Sequence, residues 1–173
     1  TTLRGIAPHL QGRRIAALRV HQRRLRYPIA AGTEEAVAGQ RILAVRRRGK
    51  YLLLDLGRGG LLIHLGMSGS LRVLPAPPPP GAHDHLDLCL EGGVQLRLHD
   101  PRRFGSFLWT PGAPDDHPLI RNLGPEPLGP DFDGARLYRA SRGRRTPVKA
   151  FIMDGRQVAG VGNIYANESL FLA

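Results

Sequence analysis

The sequence of 173 residues has one cysteine, few aromatic residues and no long apolar run. The lone thiol of Cys89 excludes a disulfide within the chain and a four-cysteine zinc site. No stretch approaches the roughly 18 apolar residues that a membrane-spanning helix needs. The first residues lack the charged, apolar and small segments of a secretory signal, which predicts a cytoplasmic protein without a membrane partner.

Acidic residues are also scarce: 14 Asp and Glu stand against 25 Lys and Arg, a formal net charge of +11 with a pI near 11.2. Nearly all of the cations are arginines, and Lys50 and Lys149 are the two lysines. Codon bias explains the choice of arginine over lysine, and basic residues also solubilise a surface, but neither explains the excess over acids. The charge therefore favours a polyanionic partner, with nucleic acid as the first hypothesis.

Short apolar segments that alternate with polar residues and end at glycine turns predict an antiparallel β-sandwich or barrel. The clearest hairpin sets Leu86, Leu88 and Leu90 against polar neighbours, turns at Gly92-Gly93 and returns at Val94. Another places Leu52, Leu54 and Leu56 on one face before a turn over 57–60. Strands are predicted at 14–20, 41–45, 50–56, 61–65, 86–90, 94–98 and 104–109, and a helix at 4–10.

The second part of the chain has a different composition. Residues 124–130 have the glycines and prolines of a linker. Thr146 at the N-cap and Pro147 in the first turn predict a helix to about Met153, and Asn163 is expected to cap a final helix. The fold class is therefore α+β, with a β-sandwich domain over 1–127 and a helical domain that starts at 128 and continues to 173. The proline-rich segment 75–81 is interpreted as a stiff spacer, with a ligand for a proline-recognising module as the alternative.

Four short clusters carry side chains suited to nucleic acid. Residues 100–105 place two arginines and Phe104 in a loop, although the pattern alone favours Phe104 in the core. Met67 lies between glycines in 64–70, where an ordinary turn is an equal interpretation. The glycine-rich turn before Asn163 suits a phosphate, or simple capping. The triplet 83–85 indicates phosphate contact or strand packing more than a metal site.

These motifs occur in one order: residues 50–54, 64–70, 83–85, 100–105, 123–128 and 160–166. The series resembles bacterial formamidopyrimidine-DNA glycosylase, and it covers essentially the whole chain. The resemblance implies a two-sheet β-sandwich followed by the start of a helix–two-turn–helix domain. It implies a monomeric, nucleoid-associated repair enzyme that binds double-stranded DNA and removes oxidised purines, notably 8-oxoguanine and formamidopyrimidines, by base flipping.

In that family an N-terminal proline amine forms a Schiff base with the sugar, an adjacent glutamate assists, and β- and δ-elimination follow. The resemblance implies that Lys50 acts near the lesion phosphate in elimination. Met67, Arg102 and Phe104 would fill the space of the flipped base, with Arg102 facing the orphaned cytosine and Arg103 as a further contact. The other DNA contacts that it implies are His64, His83, Lys149, Asn163 and either Arg144 or Arg145.

The family's proline and glutamate would precede Thr1, and the rest of the helical domain, with a zinc finger and its single zinc ion, would follow Ala173. We therefore expect this chain to hold no metal or cofactor, to lack the nucleophile and to bind DNA weakly. The alternatives are a non-catalytic DNA-binding paralogue, an endonuclease VIII-like glycosylase for oxidised pyrimidines and an RNA- or ribosome-binding domain. The pair of loops with Met67, Arg102 and Phe104 favours the oxidised-purine enzymes.

Overall fold

The computed structural model describes all of the residues, Thr1–Ala173, and divides the chain into two compact units. The β unit comprises Thr1–Arg47 and Tyr51–His117, and the helical unit comprises Arg48–Lys50 and Pro118–Ala173. The predicted domain boundary after residue 127 stays a prediction. No helix has the length and apolar character that a membrane span requires.

The β unit consists of two four-stranded antiparallel sheets with helical segments around them. One sheet has the strand order β1-β6-β7-β5 and the other the order β2-β3-β4-β8. The strands are β1 (Ile15–Val20), β2 (Ile42–Arg48), β3 (Tyr51–Leu56), β4 (Gly59–His64), β5 (Ser70–Leu74), β6 (Asp84–Leu90), β7 (Gln95–His99) and β8 (Ser106–Thr110). The helices of this unit are α1 (Thr2–Leu10), α2 (Thr33–Val37) and a 3-10 turn at Pro114–Asp116.

One hydrophobic core lies between the sheets. Leu52, Leu54 and Leu56 of β3 belong to the same buried cluster as Leu86 and Leu88 of β6. The alternating pattern that predicted these inward faces is confirmed, because successive side chains of a strand point to opposite faces of its sheet. The predicted α+β class with a sandwich is confirmed as well.

The opposite face of β6 and β7 is buried too, contrary to a simple inside–outside alternation. Asp87 and Arg97 are 2% and 3% exposed, and the Arg97 guanidinium donates two hydrogen bonds of 2.7 and 2.8 Å to the Asp87 carboxylate. The Arg97 side chain also donates to the carbonyl of Pro78. Burial raises the pKa of Asp87, but hydrogen bonds from Arg97 and His21 outweigh it and hold that pKa below its usual value. The segment predicted to be a stiff spacer therefore helps to cover this ion pair.

The helical unit contains α3 (Pro118–Arg121), α4 (Gly134–Ser141), α5 (Val148–Met153) and α6 (Asn163–Leu172). Phe151, Ile152 and Ala166 form its buried centre, and Leu137 and Ala140 of α4 pack against them. No residue of α4 is buried, so α4 packs on this centre with side chains that remain partly exposed.

Several predicted element ends are wrong by one or two residues. The N-cap of α5 is Pro147, not Thr146, because the Pro147 carbonyl accepts the first intrahelical bond, from the Phe151 amide. Gly162, not Asn163, is likewise the N-cap of α6, and its carbonyl accepts from Ala166. The predicted 57–60 turn is shorter, because Gly59 and Gly60 already pair with β3. The sequence did not predict α2, α3, α4 or β5.

Candidate functional site

Two loops of the β unit present three side chains that the sequence singled out. The loop 65–69 joins β4 to β5 and carries Met67, and the loop 100–105 joins β7 to β8 and carries Arg102 and Phe104. Met67 is 75% exposed and Phe104 is 46% exposed, and the Arg102 guanidinium carbon lies 4.7 Å from the centre of the Phe104 ring. The interpretation that Phe104 belongs to the core is therefore wrong. We call 65–69 and 100–105 the wedge loops.

Close backbone contact holds the wedge loops together. Gly66 has a φ of +63°, and a Cβ built on it would lie 2.6 Å from the carbonyl carbon of Phe104. A Cβ on Gly105 would lie 2.8 Å from the His64 carbonyl oxygen. Only glycine fits at either contact, so the two glycines of the motifs bring Met67 and Phe104 to the same edge of the sandwich.

The remaining predicted contacts of the β unit lie beside these loops or at the end of β7. His64, at the end of β4, accepts a hydrogen bond from the Gly66 amide at Nδ1, which leaves Nε2 as the protonated nitrogen of the neutral ring. His83 is exposed, and its ring meets the edge of His99 at 5.9 Å. Arg103 is exposed and has a left-handed backbone with a φ of +58°, a conformation that costs energy in a residue other than glycine.

The chain does not offer a metal site. No group of three or more His, Cys, Asp or Glu side chains is placed to hold a metal ion. In the triplet 83–85, Asp84 accepts from His99 and the Gly81 amide, and the His85 ring is bonded to the Asp100 carbonyl. The residues present therefore do not fit the zinc ion that the family resemblance implies.

Lys50 belongs to the helical unit although it immediately precedes β3. Its ammonium donates to the carbonyl of Val161, at 3.3 Å. Two neighbours fix the turn that carries it: the Gly49 amide donates to the Glu126 carboxylate at 2.6 Å, and Arg48 donates to the same carboxylate at 3.1 Å. The arrangement anchors the base of the lysine side chain and leaves the residue exposed.

Lys149 and Asn163 line one shallow depression of about 610 Å³, together with Pro147, Ala150, Met153 and Asp154. Asn163 is the first residue of α6, so backbone N–H groups without intrahelical partners and the positive end of the helix dipole are adjacent. Hydrogen bonds from Arg156, above all from its side chain, hold the pKa of Asp154 below its usual value. A lysine beside a helix N-terminus suits an anion such as phosphate.

The two candidate arginines before α5 differ in their surroundings. Arg144 donates to the Ala140 carbonyl at 2.7 Å, and its guanidinium carbon lies 5.3 Å from the centre of the Phe151 ring. Arg145 is exposed. The structure thus fixes Arg144 against its own unit and presents Arg145 to solvent.

Gly162→Ala is expected to displace the Lys50 ammonium without unfolding the protein. A Cβ on Gly162 would lie 2.5 Å from Lys50 Nζ, the mobile end of a side chain, and the extended backbone of Gly162 accepts any residue. With two lysines in the chain, reductive ¹³C-methylation gives separate NMR signals for Lys50 and Lys149. We expect the Lys50 signal to shift, the Lys149 signal to stay, and stability to fall by no more than about 1 kcal/mol, because alanine is a poorer N-cap than glycine.

Gly134→Ala is the matched control in the same unit, because a Cβ there meets nothing within 4 Å. It should leave both lysine signals in place. A Lys50 signal that is identical in Gly162→Ala and the unchanged protein would contradict the placement of Lys50 against Gly162.

Sequence reasoning missed three residues that support the candidate site: Ser68, Asp100 and Glu126. The Ser68 hydroxyl donates to the Asp100 carboxylate at 2.7 Å, and Asp100 is fully buried. Burial raises the pKa of Asp100, but hydrogen bonds from Ser68 and the Gly105 amide outweigh it, so its pKa lies below the usual value. A single aspartate before proline is typical of an exposed turn, so the sequence held no signal for its burial.

Comparisons with known proteins agree with this arrangement. The family model of the formamidopyrimidine-DNA glycosylase N-terminal domain matches residues 1–107, and that of the H2TH domain of the same glycosylase matches residues 123–173. A formamidopyrimidine-DNA glycosylase of Methylococcus capsulatus is 60% identical over the whole chain, and one of Alkalilimnicola ehrlichii is 58% identical. The chain spans 64% and 65% of the lengths of these relatives.

Solved structures agree as well. The MutM (Fpg) protein of Thermus thermophilus superposes with a TM-score of 0.82 at 39% identity, over 98% of this chain and 60% of that one. The Lactococcus lactis Fpg bound to DNA with a Fapy-dG lesion gives 0.85 at 29% identity, over 99% and 65% of the two chains. With both family models matched in order along the β and helical units, the chain belongs to the formamidopyrimidine-DNA glycosylase family.

Proposed function

We propose that this chain provides the lesion-recognition surface of a DNA glycosylase/AP lyase that removes oxidised purines, such as 8-oxoguanine and formamidopyrimidines, from double-stranded DNA. The observation that carries the proposal is the exposure of Met67, Arg102 and Phe104 on the wedge loops. Large apolar side chains are costly to leave in water without a partner. A base stack opened by a flipped nucleotide is a partner of the right chemistry.

Each of the three side chains has a distinct task in this proposal. Phe104 enters the stack and wedges it open, and Met67 fills the space that the damaged base leaves. Arg102, held over the Phe104 ring, donates hydrogen bonds to the base that has lost its partner. The net charge of +11 supplies the sequence-independent attraction to phosphates.

The backbone contacts come from both units. His64 lies next to the 65–69 wedge loop, and His83, Arg103 and Arg145 are exposed at the surface. In the helical unit Lys149 and the N-terminus of α6 at Asn163 provide a phosphate site. Two related Lactococcus lactis structures hold DNA with an abasic site or a Fapy-dG lesion, which supports DNA as the partner.

For the chemistry we propose the family's route. A proline amine displaces the damaged base from the sugar C1′ with help from a glutamate, and the opened sugar becomes an iminium. The protons next to the iminium become acidic, so β- and δ-elimination break the strand. Lys50 acts near the lesion phosphate in these eliminations. We further propose that the enzyme works as a cytoplasmic, nucleoid-associated monomer, with zinc confined to parts of the family fold that this chain does not span.

The alternatives make different binding predictions. A non-catalytic paralogue would bind duplexes without forming a covalent intermediate. An endonuclease VIII-like enzyme would prefer an oxidised pyrimidine, and an RNA-binding domain would prefer structured RNA. The presence of Met67, Arg102 and Phe104 in two separate loops favours the oxidised-purine enzyme.

The test compares the affinities of the 173-residue chain for four probes of equal length by fluorescence anisotropy. The probes are a duplex with 8-oxoguanine opposite cytosine, one with an oxidised pyrimidine, an undamaged duplex and a structured RNA. We expect the 8-oxoguanine duplex to bind most tightly, with weaker binding at higher salt for every probe. Tightest binding to RNA, or equal binding of the undamaged and damaged duplexes, would overturn the proposal.

Borohydride trapping separates binding from chemistry. The amine at the start of these 173 residues is that of Thr1, not of a proline. We expect no trapped covalent complex with the 8-oxoguanine duplex from this polypeptide, and trapping once a proline and a glutamate precede Thr1. A covalent complex formed by the 173 residues alone would refute the assigned nucleophile.

A further inference from the structure

Asp100 is the first residue of the 100–105 wedge loop, and its carboxylate is bonded to both wedge loops. Asp100 is fully buried. One oxygen accepts from the Ser68 hydroxyl at 2.7 Å, next to Met67, and the other accepts from the Gly105 amide at 2.8 Å, next to Phe104. One carboxylate therefore accepts a hydrogen bond from each of the two loops.

The backbone of Asp100 adds bonds on two further sides. Its amide donates to the His83 carbonyl at 2.9 Å, and its carbonyl accepts from the His85 ring at 2.7 Å and from the Arg103 amide at 3.3 Å. The Ser68 hydroxyl oxygen also accepts from the Arg102 amide at 3.3 Å. The wedge loops and the 83–85 triplet, all of which carry predicted DNA contacts, thus meet at one buried residue and its serine partner.

We propose that Asp100, acting through Ser68, is the positioning residue that sets the spacing of Met67, Arg102 and Phe104 before DNA arrives. The inference rests on the proposed function and identifies the hydrogen bonds that make the lesion-recognition surface rigid. Ordering three side chains in advance removes an entropic cost that would otherwise be incurred on binding. The gain applies to the opened duplex, because only there do the three side chains enter the DNA.

The donors around the Asp100 carboxylate also determine what the neighbouring arginine side chains can do. The Asp100 carboxylate is held by neutral donors, namely the Ser68 hydroxyl and the backbone amides of Gly105 and Arg102, and it forms no ion pair with an arginine side chain. Hydrogen bonds to a charged acceptor are stronger than those to a neutral one. The guanidinium groups of Arg102 and Arg103 therefore stay available for DNA while the loops stay fixed.

Ser68→Ala is the principal test, because it removes the hydrogen bond by which Asp100 holds the 65–69 loop and leaves both the Asp100–Gly105 bond and the backbone contact at Gly66 in place. Two quantities are measured on the 173-residue chain. One is amide hydrogen exchange in the segments 65–69 and 101–105. The other is the ratio of affinities for a duplex with a tetrahydrofuran abasic-site analogue and an undamaged duplex of the same sequence.

We expect exchange to rise about ten-fold or more in both segments of Ser68→Ala, including 101–105, which the substitution does not alter. The affinity ratio should fall about ten-fold, while binding of the undamaged duplex stays within about two-fold. Ser70→Ala, a serine two residues further along in β5, is the matched control and should change neither quantity.

Two aspartate variants separate positioning from simple loss of structure. Asp100→Asn can still accept from the Gly105 amide and donate to the Ser68 hydroxyl oxygen, so it should retain most of the affinity ratio. Asp100→Ala should lose it. A purely structural role would instead lower both affinities together in proportion to the unfolded fraction.

The outcomes distinguish this inference from the proposed function. If the protein without any substitution binds the abasic-site duplex no more tightly than the undamaged duplex, the proposed function is refuted. The hydrogen-exchange data then still decide whether Ser68 and Asp100 couple the two loops. Unchanged exchange in 101–105 of Ser68→Ala, or an unchanged affinity ratio in a discriminating protein, overturns the positioning role.

Discussion

Replacing Asp87 by alanine is expected to destabilise the β unit by about 3 kcal/mol, because the buried Arg97 guanidinium loses its two short bonds to a carboxylate and keeps only the 3.4 Å contact to Asp84 as an ion pair. Both partners are at most 3% exposed, so water cannot take the place of the lost acceptor. Urea unfolding followed by circular dichroism measures the change. If Asp87→Ala lowers the free energy of unfolding by less than about 1 kcal/mol, that result would contradict the importance of the buried ion pair.

The stabilisation by Asp87 is expected to depend on pH and to be lost in acid. The pKa of Asp87 lies below its ordinary value of 3.8 in the folded chain, so the carboxylate stabilises the fold fully above about pH 4. That contribution is lost as the pH falls through the folded-state pKa. The difference in stability between the unchanged protein and Asp87→Ala should therefore be constant from about pH 7 to pH 5 and should shrink below about pH 4.

Two controls belong to the same experiment. Glu91→Ala breaks an exposed pair with Arg14, 3.5 Å long, and should cost no more than about 1 kcal/mol. The double variant Asp87→Leu with Arg97→Met replaces both charges by apolar groups and should recover most of the loss. A double variant as unstable as Asp87→Ala would show that the effect comes from packing, not from an orphaned charge.

Phe104→Ala is expected to weaken binding to an abasic-site duplex about 5- to 150-fold, the loss typical of one aromatic side chain stacked on a base. The thermal midpoint should not change, because Phe104 is 46% exposed and lies outside the hydrophobic core. Fluorescence anisotropy on damaged and undamaged duplexes measures the effect, which should be confined to the damaged one.

Leu43→Ala provides the matched control for Phe104→Ala. Leu43 lies on β2 of the same unit and is 54% exposed, so its truncation removes a similar amount of exposed apolar surface away from the wedge loops. The affinity of Leu43→Ala for each of the two duplexes should stay within about two-fold of that of the protein without a substitution. Equal losses in the two variants would mean that Phe104 contributes general surface and does not enter the base stack.

The strands and turns could be predicted because they depend on local order. Leu86, Leu88 and Leu90 alternate with polar residues, and Gly92-Gly93 closes the hairpin, so the period of two and a flexible turn predicted β6 and β7. The family motifs could be recognised for a related reason. Gly66 and Gly105 stand beside the side chains that they serve, and only their order along the chain had to be recognised.

Burial of polar groups could not be predicted in the same way. Asp87 and Arg97 lie at positions that alternation assigns to solvent, and the carbonyl of Pro78 and the His21 ring, distant in sequence, close over them. The local pattern alone did not predict the exposure of Phe104, for the converse reason, and only the family resemblance placed this side chain outside the core. An aromatic residue before a strand resembles a core residue until the loop is placed, and no periodicity covers a six-residue loop.

The sequence by itself determined a basic chain with two leucine-faced sheets, glycine turns and the ordered motifs of one repair family, since each follows from neighbours within a few residues. The tertiary structure alone decided that the Asp100 carboxylate is buried and bonded to both wedge loops, and that Lys50 bonds to Val161 of the helical unit. Those contacts join residues 32 and 111 positions apart. Local pattern cannot encode them, because burial and hydrogen bonding depend on which distant segments the folded chain brings together.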